Sequence, residues 1–265
     1  MNKLSVETGP NPVLRIAYHH RHQGLGDYDA SVLEARAAVR DQAMLGELQR
    51  LENAQAELLL DQFGPVQPSD RLVDAGAGRG GTSFLAHHRF GCAVDGVSIS
   101  DAEVKFANDQ AAARGVADRV RFHYRNMLDT GFATGSRQLI WTNETSMYVD
   151  LHQLYREFAR VLCGGGRYAC ITGCADDAAG GRSRAVSQIG QYYTCDVHPR
   201  GEYFRALAAN DFVPIAVVDL SRDTVPYWEL RAGSPVATGI EEAFLAAYRE
   251  GSLHYLLIVA DYVGR

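Results

Sequence analysis

The 265 residues carry 46% hydrophobic and 22% charged side chains, ordinary globular usage and enough chain to bury the core of one large α/β domain with insertions. The net charge is -6 and the basic residues are dispersed, which leaves no footprint for a nucleic-acid backbone. The longest apolar stretches, such as residues 255–260, are far too short to span a bilayer, and the polar N-terminus lacks a signal-peptide core, so a soluble cytoplasmic protein is expected.

Residues 1–30 hold Pro10, Pro12, Gly24 and Gly26 with little periodicity and read as an irregular arm that must pack on something else. From Glu34 to Phe63 leucines 45, 48, 51, 58, 59 and 60 recur at roughly helical spacing, predicting one or two amphipathic helices. Residues 1–65 thus form an N-terminal arm and helical lid, which can cover an active site or make the interface of a homo-oligomer. Strands are predicted at Arg71–Ala75, Cys92–Val97, Val120–Arg125, Gln138–Asn143 and Arg167–Thr172, with helices at 80–90, 101–114 and 150–162 between them. Further strands are expected near Val213–Leu220 and Leu253–Val263, making a seven-stranded, mostly parallel sheet with right-handed crossovers over 66–265. A Gly-, Ser- and Asp-rich insertion at about 174–210 is placed to cap the strands' carboxyl ends, where open α/β sheets bind ligands. The five cysteines (Cys92, Cys163, Cys170, Cys174, Cys195) are odd in number and lack a CxxC pair, so they read as reduced, mostly buried hydrophobes with no metal site.

Gly76, Gly78 and Gly81 satisfy G-x-G-x-x-G between a strand and a helix, which on its own admits a nicotinamide or flavin dinucleotide. Asp74 argues against one. A carboxylate at the end of the first strand would repel a pyrophosphate at the helix N-terminus, whereas it suits a ligand with an ammonium group and no phosphate. The methionine end of S-adenosylmethionine has that chemistry, and four glycines plus an aspartate exceed what a structural turn alone needs. Two acids stand near the end of the second strand: Asp95, which alternation along the strand can turn outward, and Glu103, which lies in the first turn of the next helix and can return to the ribose; each is equally well a solvated surface acid or a helix N-terminal charge. Asn126 and Met127, after the third strand, are placed for adenine, with turn polarity as the plainer reading.

The run from Asp74 to Gly81, with Gly96-Val-Ser-Ile-Ser100, Asn126-Met-Leu-Asp129 and Trp141-Thr-Asn-Glu-Thr-Ser-Met-Tyr148, resembles the prenyl diphosphate C-methyltransferases, and among them those acting on geranyl diphosphate at C2. The likeness runs from about Tyr18 to the end and takes in Tyr18-His-His20, residues 24–29, 171–174, 226–231 and 239–244. It departs before Gly24, where the family carries a tyrosine and this chain has His22 and Gln23, and at Tyr193, where the family has phenylalanine. The resemblance implies a Rossmann-like class I S-adenosylmethionine-dependent methyltransferase fold and attack of a prenyl alkene on the methyl sulfonium. A tertiary carbocation then loses a proton to restore the alkene, with the diphosphate held through Mg²⁺. The expected conversion is geranyl to 2-methylgeranyl diphosphate, an early step of terpenoid secondary metabolism.

Residue by residue, the cofactor would meet Asp74, Gly76, Gly78, Ser98, Ser100, Glu103, Asn126, Met127 and Asn143. Glu144, after the fourth strand, is the candidate base that quenches the cation, with Tyr148 supporting it; the plainer alternative is an acid bonded to backbone. A cation needs negative potential without a nucleophile, which aromatic faces provide. Tyr192, Tyr193, Tyr203, Phe204, Tyr227 and Trp228 lie near the cap, most of them expected in the core, with Tyr193 and Trp228 chosen for the substrate. Tyr18, His19, His20 and His22, with Arg21, Arg36 and Arg40, could supply donors to the diphosphate. Histidines suit phosphate oxygens better than Mg²⁺ itself, and a plain surface arm is the competing view. Three readings remain at this point: C-methylation of geranyl, isopentenyl or farnesyl diphosphate; N-methylation of a small amine; and cofactor binding without catalysis.

Overall fold

The computed structural model describes residue 20 and residues 22–177 and 182–264. Seven strands make one sheet: β1 (Arg71–Ala75), β2 (Ala93–Ser98), β3 (Val120–Tyr124), β4 (Arg137–Asn143), β5 (Leu162–Ala175), β6 (Phe212–Asp219) and β7 (Leu253–Tyr262). Their order is β3-β2-β1-β4-β5-β7-β6, with β7 antiparallel to both neighbours and the other pairs parallel. The predicted strands stand within a few residues of their expected bounds, except that β5 begins five residues early. Gly164, Gly165 and Gly166, which read as a break, are carried inside it, and the β4–β5 pairing shifts register beside them.

Between the strands run α3 (Gly81–Phe90), α4 (Asp101–Ala113) and α5 (Leu151–Val161), the expected crossovers. Ahead of them lie α1 (Ser31–Glu34) and α2 (Ala37–Asp61), the latter a single 25-residue helix. α6 (Arg184–Tyr193) and α7 (Arg200–Ala208) follow β5. Two more helices, α8 (Ser221–Ala232) and α9 (Glu241–Glu250), fill the β6–β7 connection. The sequence pattern had suggested nothing there, because Pro226 sits inside α8 and Gly233, Pro235 and Gly239 break the stretch between the two.

The helices sort into three packed clusters. On one sheet face Leu72, Val94, Leu139 and Trp141 meet α3, α4 and the C-terminal half of α2 through Ala56, Leu59 and Leu60. On the other, Val73, Val97, Ile140 and Tyr168 meet α5 and α7. The third cluster lies at the carboxyl ends of the strands. There Met44, Leu48 and Leu51 of α2 pack with Ile189 of α6, Tyr227 and Trp228 of α8, and Phe244 of α9. The chain reverses direction across the sheet between β1 and β4, so the crevice above those two strand ends is the topological switch point. No helix among the described residues is long and apolar enough to cross a membrane.

Candidate active site

A cavity of about 410 Å³ opens over the turn between β1 and α3. Gly76 and Gly80 have φ of +90° and +84°. A Cβ on Gly76 would come within 2.5 Å of Thr145, and one on Gly80 within 2.4 Å of Phe122, so both left-handed backbone and close approach demand glycine. The Gly76 and Ala77 amides both donate to the Val97 carbonyl at 2.9 Å, pinning the loop to β2. Asp74 lines this cavity, is 3% exposed and accepts a hydrogen bond from Ser83 Oγ at 2.6 Å. Burial pushes its carboxyl up to about 7, against the pull of the Ser83 hydroxyl, so a bound cation would be strongly attracted to it.

Gly76, Gly78, Ser98, Glu103, Met127 and Asn143 line the same cavity. Of the two acids weighed for the ribose, Glu103 faces it, with Oε2 at 3.3 Å from Ser98 Oγ. Asp95 is turned away. It bonds His123 at 2.8 Å and Arg137 at 3.1 Å; burial would raise its pKa, but those partners outweigh burial and leave it lowered. Two expected contacts are also displaced. Ser100 Oγ accepts the Glu103 amide at 3.4 Å as the N-cap of α4, and the exposed Asn126 accepts the Leu128 amide at 2.9 Å; neither lines the cavity. Short polar side chains at such positions satisfy local backbone first.

A second cavity, about 260 Å³, lies beneath α6, α8 and α9. Its aromatic wall is Trp228 stacked on Phe244, with centroids 3.8 Å apart and planes 10° from parallel, and Tyr227 edge-on to Trp228 at 5.4 Å. Tyr193 adds an edge to Phe244 at 6.1 Å. Ile189, Val197 and Leu253 make the rest apolar, and Arg231 reaches in while paired to Glu241 at 3.0 Å. Three aromatics considered from sequence lie elsewhere. Tyr192 is half exposed, Tyr203 bonds Ser146 and Thr172 in the core, and Phe204 packs against the α5 side of the sheet.

Four residues line both cavities: His22, Glu144, Tyr148 and Tyr193. Glu144 directly follows β4 with φ +53°, an uncommon conformation for a side chain of this size. Its amide donates to the Ile171 carbonyl at 2.9 Å, and its Oε1 accepts the Gln23 amide at 2.7 Å and the Tyr255 hydroxyl. Burial pushes the carboxyl up to about 7, with the two hydrogen bonds pulling it down. Tyr148 is pushed up to about 12 by burial and remains a neutral phenol. Asn143 exchanges two hydrogen bonds with Gln55, at 2.6 and 2.9 Å, and Gln55 also donates to Tyr255 at 2.9 Å.

The arm reaches this junction as expected only in part. His20 lines the glycine-loop cavity, bonds Asn53 at 2.9 Å, and lies 4.6 Å from the His22 ring. Tyr18, His19 and Arg21 lie outside the described residues. Arg36 and Arg40 are exposed at the start of α2 and line neither cavity. The arm meets α2 at Leu51 and Asn53, and at 1.5 Å per residue Arg40 is about 16 Å short of Leu51 along the axis. The arginines at the cavities are instead Arg79, Arg125 and Arg231. Sequence reasoning also passed over Gln55 and Tyr255, and met Gln23 only as a departure from the family pattern. Tyr255 alone carried a signal, a phenol opening the apolar run of a buried strand.

Residues 73–170 match the family model described as a methyltransferase domain. The chain is 60% identical over 246 residues to geranyl diphosphate 2-C-methyltransferase of Saccharopolyspora erythraea, covering 93% of this chain and 86% of that one. It is 51% identical to the protein of the same name from Streptomyces lasalocidi, covering 93% and 82%. The solved structure of geranyl diphosphate C-methyltransferase from Streptomyces coelicolor A3(2), in complex with Mg²⁺, geranyl diphosphate and S-adenosyl-L-homocysteine, superposes with a TM-score of 0.91 at 48% identity, covering 93% of both chains. With a glycine loop that holds an acid, an aromatic cavity and one carboxylate between them, this chain belongs to the geranyl diphosphate 2-C-methyltransferase family.

Proposed function

We propose that the protein methylates C2 of geranyl diphosphate with S-adenosylmethionine. The observation that carries this reading is the position of Glu144, the one carboxylate that lines both cavities. In the glycine-loop cavity Asp74 takes the donor's ammonium, Gly76 and Gly78 let its methionine end approach the backbone, Glu103 and Ser98 meet the ribose, and Met127 lies against adenine. Asn143, held by Gln55, faces the donor from the β4 side. Ser100 and Asn126 serve through the turns they hold. The prenyl tail enters the aromatic cavity past Tyr193 and Trp228, which puts its first double bond at the junction.

The C2–C3 π pair attacks the methyl carbon while the C–S bond breaks and its electrons stay on sulfur, leaving S-adenosylhomocysteine and a tertiary cation at C3. Glu144 then removes the C2 proton, and the C–H electrons re-form the double bond. Its carboxyl, pushed up to about 7, is basic enough to accept that proton near neutral pH. Tyr193, Trp228 and Tyr148 surround the cation with π faces and neutral phenol, a stabilisation of about 2 kcal/mol or more per desolvated face without a competing nucleophile. His20 and His22 donate to the diphosphate, and Mg²⁺ supplies charge neutralisation for its oxygens. The reaction is placed in the cytoplasm on a small-molecule partner.

The test is turnover with S-adenosylmethionine, Mg²⁺ and a panel of geranyl, isopentenyl and farnesyl diphosphates and small amines, read by mass spectrometry. The expected product is geranyl diphosphate plus one CH₂. Methylation of amines alone, or binding of the donor with no product, would overturn the reading.

A further inference from the structure

Gln23 sits at the end of the arm and is 4% exposed. Its side-chain oxygen accepts hydrogen bonds from Trp228 Nε1 at 2.6 Å and the Tyr248 hydroxyl at 2.8 Å, with Thr224 Oγ1 3.1 Å away. Those donors belong to α8 and α9, the helices over the aromatic cavity. Its backbone amide meanwhile donates to Glu144 Oε1. The following residues are clamped as tightly. The Gly24 carbonyl accepts Thr224 Oγ1 at 3.0 Å, and a Cβ on Gly24 would come within 2.5 Å of Leu51. The Leu25 and Gly26 amides donate to Leu51 and Asp223 at 3.1 and 2.8 Å. A carbonyl oxygen has two lone pairs, and Trp228 and Tyr248 fill both, one from each helix over the aromatic cavity.

We propose that Gln23 is a positioning residue, whose amide oxygen anchors the arm to α8 and α9 so that its backbone N–H holds Oε1 of Glu144 and leaves Oε2 to take the substrate proton. The inference rests on Glu144 being the base. The Gln23 amide and the Tyr255 hydroxyl both bond Oε1 and fix the plane of the group, and the Gln23 side chain adds a smaller pull on the same carboxylate. The cap over the prenyl tail and the orientation of the base are thereby coupled through one residue. The groups facing Glu144 from every side are Glu52 of α2, Tyr227 of α8, Tyr248 of α9, Tyr255 of β7, Tyr193 of α6, and Tyr148 and His22 at the junction. All but Glu52 and His22 are phenols driven upward by burial, so the acid limb of the pH profile is assigned to Glu144 through its loss in Glu144→Gln.

Gln23→Met keeps the length of the side chain and removes the acceptor. Turnover is expected to fall about tenfold as the base loses its alignment. The acid limb of kcat should move to higher pH by about half a unit, because a carboxylate that loses a donor binds its proton more tightly. Affinity for S-adenosylmethionine, measured by calorimetry, should stay unchanged. Tyr248→Phe removes one of the two anchoring donors and lines neither cavity, so it tests the same coupling if Gln23→Met fails to fold; its limb should move the same way by less. A merely structural Gln23 would lower Tm and leave kcat and the limb of folded protein where they were in both variants, which would overturn the proposal. Glu144→Gln separates the two levels. If it retains turnover, the base assignment fails; if it is inactive while Gln23→Met and Tyr248→Phe keep the wild-type profile, only the positioning role fails.

Discussion

The cavity over the glycine loop and the cavity under α6, α8 and α9 meet at Glu144 but are built by opposite means. The first draws largely on short neighbouring stretches of chain, residues 74–82, the ends of β2 and β4, and the turn after β3, joined by His20, His22, Tyr148 and Tyr193. The second is side chains brought from far apart; the Gln23–Tyr248 hydrogen bond that closes it joins residues 225 apart. A wall built around left-handed glycines that no side chain can replace cannot adapt one residue at a time, so it suits a ligand that never varies. A wall of aromatic and aliphatic side chains can be reshaped by single substitutions, so it is where selectivity for the acceptor belongs. The carboxylates differ in the same sense. In the proposed reaction buried Asp74 would meet a permanent cation, whereas Glu144 would face a charge that exists only in passing.

The largest expected effect is at the shared residue. Glu144→Gln keeps the shape of both cavities and should bind S-adenosylmethionine normally, yet lose about a hundredfold or more in turnover, the lower range for a general base. With a carboxyl raised to about 7 by burial, Glu144 is protonated below that pH and ionised above it. With S-adenosylmethionine held saturating, the wild-type kcat should therefore fall about tenfold per unit as pH drops below about 7, and a stopped-assay pH profile of the variant should lack that limb. A near-normal rate, or an unchanged limb, moves the proton to another group.

Next in size is Asp74→Asn, which acts on one side of the comparison alone. Losing a charge-assisted contact to an ammonium costs about 1.5–3 kcal/mol, or roughly ten- to hundredfold in the Kd for the donor. Because burial raises this carboxyl to about 7 in the empty site, wild-type affinity for the cationic donor should weaken as pH falls through that value. The variant's affinity should stay flat there. Titration calorimetry at several pH values reads both effects, and equal affinities at pH 8 would remove the reason for rejecting a dinucleotide in this loop.

The same contrast decides how much of the molecule could be read beforehand. The sheet, its crossovers and the glycine loop follow from local patterns, alternating strand and helix periods and a run of glycines next to an acid, and seven of the nine expected donor contacts line one cavity, among them Asp74, Gly76, Gly78, Ser98, Glu103 and Met127. Asn143 lines it too, but through an exchange with Gln55 that nothing in the local sequence announces. The aromatic cavity was legible only as a supply of rings. Family resemblance alone set Tyr193 and Trp228 apart from Tyr203 and Phe204; the physical reason, α7 packed on the far side of the sheet, is a consequence of tertiary arrangement. α8 went unread because Pro226 is tolerated within a helix whose partners, the arm and α2, hold it in place. Arg36 and Arg40 were misassigned for a simpler reason, since proximity in sequence to the arm did not survive the length of α2.

The smallest effect separates two neighbours that the sequence placed together in the donor site. Ser100 caps α4 through the Glu103 amide, and Glu103 turns its carboxylate into the cavity beside Ser98. Ser100→Ala should cost about 1 kcal/mol of stability, the usual loss of an N-cap, seen as a lower urea midpoint at unchanged m-value. Its Kd for S-adenosylmethionine should stay within error. Glu103→Gln should do the reverse, weakening the donor several-fold, by about 1 kcal/mol for one ribose hydrogen bond, with little change in the midpoint. If Ser100→Ala weakens binding as much as Glu103→Gln does, the cap and the ribose contact are one feature, and the turn after β2 belongs to the site as a unit rather than through Glu103 alone.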